Sequence, residues 1–65
     1  MTREELRLDL EAALRRLTPK QGEALGAWLA GYTQQEIGDA CGVSQRAIGH
    51  RIEGAIGRIQ EYLDA

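Results

Sequence analysis

One local signature recurs along this chain and restricts its fold more than any other feature. A threonine followed three places later by a carboxylate or carboxamide occurs at Thr2 and Glu5, at Thr18 and Gln21, and at Thr33 and Glu36. At that spacing each side chain can satisfy an amide that the first helical turn leaves unpaired, so each pair predicts a helix start. Pro19 reinforces the second start, because proline at the first helical position loses only an amide that was orphaned in any case. Ser44 supplies a fourth cap. Four starts within 65 residues leave room for short helices and little else.

Apolar periodicity agrees with the caps. Leu6, Leu10, Ala13, Leu14 and Leu17 stack on one side of the first helix, with Glu4, Arg7, Glu11 and Arg15 opposite. Ala24, Leu25, Trp28 and Leu29 form the second apolar set, and Gly31 suits a left-handed stop. Trp28 and Tyr32 are expected in the core and at its edge. The third helix reaches roughly Ala40 before Gly42 and Val43 interrupt it. Ile48, Ile52, Ala55, Ile56, Ile59 and Leu63 then carry a stripe from Ser44 almost to the end, making the last helix the longest. No strand pattern competes. The expected fold is all-α, a small four-helix domain over 1–65, in which an N-terminal helix (1–17) precedes a unit spanning 18–65.

Size and composition then limit the chemistry. A chain this short buries only about 60% of its unfolded surface, too little for a deep catalytic pocket. With 43% hydrophobic and 28% charged residues it is too apolar to be disordered. The single cysteine, Cys41, allows neither an intramolecular disulfide nor a multi-cysteine metal site, which fits a reducing cytoplasm. It is expected as a small buried hydrophobe beside the turn. Met1 to Leu10 alternates charge with leucine, unlike a signal peptide, and no run approaches membrane-spanning length. There is no nucleophile paired with a histidine base, no phosphate-cradling loop and no ligand cluster. No enzyme activity, cofactor, metal, membrane partner or small-molecule substrate is expected.

The segment from Thr33 to Ile48 holds the functional signal. A short capped helix, a glycine turn, an apolar Val43 and a second capped helix follow one another in helix-turn-helix order. Gly38 is small where the two helices should cross closely, and Gly42 can take positive φ. Ile37, Val43 and Ile48 would form the wedge between them. In such a unit the second helix offers its first turns to the major groove while the first crosses the phosphate backbone.

Leu17-Thr-Pro-Lys-Gln21, Gly31-Tyr-Thr-Gln-Gln-Glu-Ile37, Gly42-Val-Ser44, Arg51-Ile52 and Ala55-Ile-Gly-Arg-Ile59 resemble region four of bacterial sigma factors. The extracytoplasmic-function class is the nearest likeness, and LuxR-type output domains are a neighbour that shares the leucine-threonine-proline opening. The similarity runs from Leu17 to Leu63. It implies a transcriptional role, with the last helix in the major groove of double-stranded DNA at a promoter's upstream element and other surfaces touching RNA polymerase. A complete sigma factor also needs a second promoter-reading domain, for which 65 residues leave no space.

The DNA-binding residues expected on this reading are Ser44, Gln45, Arg46, Gly49, His50 and Arg51 on the last helix, with Gln34 and Gln35 on phosphate. Gln45 and Arg46 would read bases, and Arg51 and Arg58 would be phosphate partners. Two features pull against strong DNA binding. Gly49 and Gly54 present no side chain to a base edge. The net charge is −2, and from Gln34 onward three arginines face five acids, although Glu53 is the sole acid between Gln45 and Arg58. A second reading is therefore a sigma-mimicking interaction module that binds RNA polymerase or another regulator without strong DNA binding. A homodimer is a further expectation, through the first or last helix, because one small module buries little DNA surface. Five glycines fall inside predicted helices: Gly22, Gly26, Gly49, Gly54 and Gly57. Gly22 with Gly26, or Gly54 with Gly57, would admit another helix backbone, unless they are merely tolerated at solvent positions.

Overall fold

The computed structural model describes residues 1–64, and these form four helices without a strand. They are α1 (Arg3–Leu14), α2 (Pro19–Leu29), α3 (Gln34–Cys41) and α4 (Gln45–Asp64). Each starts at a hydroxyl cap. Thr18 and Thr33 close full capping boxes with Gln21 and Glu36, each threonine accepting from the backbone N–H three residues on while that residue's side chain accepts from the threonine N–H. At α1 only the first half forms, with Thr2 Oγ1 accepting from the Glu5 N–H at 3.1 Å. Ser44 Oγ accepts from the Ala47 N–H at 3.1 Å and opens α4.

The helix ends are as specific as the starts. After α2, the Tyr32 N–H donates to the Ala27 carbonyl and the Gly31 N–H to the Trp28 carbonyl, with Gly31 at φ 104°. That pairing ties off two carbonyls that the last turn leaves open. After α3, Gly42 sits at φ 71° and the Val43 N–H donates to the Gly38 carbonyl at 2.9 Å.

The core is built on α4. Ala24 and Leu25 of α2, Ile37 of α3, and Ile48, Ile52 and Ala55 of α4 are buried together, with Leu17, Ala27, Val43 and Ile59 packed on their rim. Ile48 has no exposed surface. Ile37 and Ile48 thus share one core with α2, and Val43 of the turn packs against it. Gly38 is where α3 comes closest to the following turn: a Cβ there would lie 2.7 Å from the Val43 carbonyl oxygen.

Other expectations fail for one shared reason, a shortage of covering surface. Along α1 only Ala13 is buried, while Leu6, Leu10 and Leu14 remain 47%, 41% and 50% exposed; the helix expected over 1–17 ends at Leu14, and Leu17, half-buried, lies in the turn that follows. The helix packs chiefly on α4, through the side that carries Ala13, so the leucine ridge beside it has no partner. At the far end of α2, Trp28, Leu29 and Tyr32 are exposed rather than in the core, because α3 has only 8 residues with which to cover them. Cys41, on the last turn of α3, is exposed instead of buried. The glycine strips also receive no helix. Nothing lies within 4 Å of a Cβ built at Gly22, Gly26 or Gly57, and at Gly54 the nearest group is the end of the Gln21 side chain.

Candidate nucleic-acid interface

α4 brings most of the expected residues to its N-terminal turns, but not to one side. Ser44 caps the helix; Gln45 and Arg46 follow on its first turn, both exposed. Arg46 and His50 stand one turn apart on the same face, and His50 is exposed as well. Among the described residues the one ion pair is Arg7 with Glu11, so no carboxylate occupies the Arg46 guanidinium. Glu53 continues the same face one turn past His50 and ends the cationic stretch there. Arg51 lies about 140° around the helix from Arg46 at 100° per residue. It is half-buried and cannot share a flat contact surface with Arg46 and His50.

The first turn of α3 lies beside this face. Gln34 is half-buried and Gln35 is exposed. A Cβ on Gly49 would come within 3.2 Å of Gln34 Oε1, so Gly49 faces the α3 amide rather than open solvent. The pair explains a glycine that periodicity leaves without a role: its bare backbone seats a glutamine from the start of the neighbouring helix. Gly54 repeats the arrangement with Gln21 of α2, whose Nε2 lies 2.9 Å from the built Cβ. Neither contact had a signal in local spacing, because both join positions distant in the chain.

Two electrostatic details bear on the interface. Glu36, fully exposed, is held below its ordinary value of 4.5, first by the Thr33 backbone N–H and then by the Thr33 hydroxyl. It therefore keeps a negative charge beside Gln34 and Gln35. Arg58 is directed elsewhere: its Nη1 donates to the Arg16 carbonyl at 3.3 Å, and the Arg16 guanidinium in turn lies over the Tyr62 ring at 5.1 Å. The expected phosphate role of Arg58 thus competes with an internal bond that fastens the α1–α2 corner to α4. Sequence reasoning missed Arg16 and Tyr62, which no motif marks.

Two grooves flank the core. One of about 590 Å³ runs between α1 and the end of α4, past Asp9, Arg16, Arg58, Glu61, Tyr62 and Leu63. The other, about 270 Å³, is a largely apolar trough between α2 and α3 lined by Ala27, Ile37 and Ala40 together with Glu23 and Glu36. Among the described residues no cluster of histidine, cysteine and acidic side chains suits a metal ion, and no helix is long and apolar enough to cross a membrane. Compared with known proteins, the chain matches no family model, no curated protein and no solved structure.

Proposed function

We propose that this chain is a sequence-specific DNA-binding transcriptional regulator in which α3, the Gly42 turn and α4 act as a helix-turn-helix. Gln45 and Arg46 read base edges in the major groove, His50 borders the groove, and the exposed start of α3 approaches phosphate through Gln35. Ser44 and Gly49 have structural tasks in this scheme, as the cap of α4 and the seat of Gln34. Arg51 contributes from the flank, toward a neighbouring phosphate.

The observation that carries this reading is the combination of a rigid turn with an unencumbered first turn of α4. Gly38 and Gly42 fix the start of α4 against α3, and Arg46 projects there without an internal partner. An exposed arginine on a well-anchored helix start is suited to bidentate contact with guanine. The motif resemblance to sigma region four points the same way. Selection from a random duplex pool at low salt tests the reading: recovery of a common sequence supports it, and recovery of none removes it.

The second reading, a sigma-mimicking module that binds RNA polymerase or another regulator, draws on different observations. The half from Gln34 onward is acidic, Glu53 ends the cationic face of α4, and Arg58 is engaged with the Arg16 carbonyl. Retention of the chain by polymerase in the absence of DNA, together with a failed duplex selection, favours this reading over the first.

A further inference from the structure

Three of the four exposed leucines of α1 form a ridge with an internal symmetry, and the fourth, Leu8, lies on another side of the helix. Leu6, Leu10 and Leu14 follow one another at single-turn spacing, and each is more than two-fifths exposed. α4 takes up the neighbouring side of the helix through Ala13. On the flank away from α4 stand Arg7 and Glu11, 3.9 Å apart and both exposed. The ridge is centred on Leu10 and the charged pair close beside it, at the level of residue 9.

We propose that a second copy of this chain covers this ridge, with the two α1 helices packed antiparallel about a twofold axis near Leu10. In that arrangement Leu10 meets Leu10 of the second copy and Leu6 meets Leu14. A twofold axis normal to the plane of the two helices brings like flanks together while reversing their direction. Arg7 of each copy then faces Glu11 of the other, so the pair is self-complementary as a closed dimer requires. A parallel twofold pairing would instead carry the two charged flanks to opposite sides of the seam, leaving Arg7 without Glu11 of the other copy, and would align the helix dipoles unfavourably. Charge order thus selects both the occupant and its direction. The inference goes beyond the DNA reading and stands on α1 alone.

Sedimentation equilibrium of the full chain without DNA tests it, so that its outcome is separate from any loss of DNA binding. The native chain is expected to show a dimer mass that dissociates on dilution. Leu10→Lys should be monomeric with its helical circular dichroism retained. Arg7→Glu, at an exposed position, should raise the dimer dissociation constant at least about fivefold through two like-charge contacts. The double exchange Arg7→Glu with Glu11→Arg should restore native association. A native chain that stays monomeric up to about 100 µM overturns the proposal, as does dimerisation indifferent to Leu10→Lys or Arg7→Glu. A double exchange that fails to restore association overturns the antiparallel geometry.

Discussion

Glycine has opposite meanings at different positions of this chain, and the difference is steric. At Gly38 an added methyl group would meet the Val43 carbonyl oxygen at 2.7 Å and the Ser44 and Gln45 backbone at 3.2 and 3.3 Å. Backbone cannot swing aside as a side-chain end can. Gly38→Ala should therefore destabilise the domain by about 1 to 3 kcal/mol, the usual range for overpacking. At Gly22 and Gly26 the same methyl group meets open space. Both lie within α2, where replacing glycine by alanine should stabilise by about 0.5 to 1 kcal/mol each. Thermal unfolding of the three variants checks the signs. A shift of 1 kcal/mol moves the midpoint by roughly 4 to 8 °C in a domain of this size. A stabilised Gly38→Ala would show that the turn does not clamp α4 as described.

At the scale of elements, the caps are the most legible part of the sequence. Thr18 with Gln21 and Thr33 with Glu36 depend only on residues three apart, so their bonds could be read before any packing was known. The positive φ of Gly31 and Gly42 was legible for the same reason. Contacts that need two distant elements were not: Gln34 over Gly49, Gln21 beside Gly54, and Arg58 on the Arg16 carbonyl have no periodic signature. Burial was misjudged at Trp28, Tyr32 and Cys41, because periodicity marks an apolar side but not whether a neighbour is long enough to cover it. The α3 box also has a pH signature. Since the Thr33 bonds lower the Glu36 pKa in the folded chain, its contribution is present above the ordinary value of 4.5 and is lost as pH falls through the depressed value. Glu36→Gln keeps a side-chain acceptor but removes the charge. It should flatten the part of the acid-unfolding profile below pH 4.5 that Glu36 causes, as followed by circular dichroism.

At the scale of the whole molecule, a core carried by α4 links stability to the candidate interface. Ile48, Ile52 and Ala55 fasten the inner side of the helix that presents Arg46 and His50 on its outer side. Few cations accompany them, so DNA affinity should rest on a small number of phosphate contacts. The logarithm of the binding constant should then fall with the logarithm of salt concentration at a slope shallower than about −3. A steeper slope would mean that a broader cationic surface is engaged, including arginines outside α4. The most direct test is a titration of the native chain and Arg46→Ala against a selected duplex at two salt concentrations, with folding of both checked by circular dichroism. If the first turn of α4 reads bases, Arg46→Ala should lose about 1 to 3 kcal/mol of specific binding, roughly 5- to 150-fold in affinity. Equal binding by a folded Arg46→Ala, or no binding by the native chain at low salt, would contradict it.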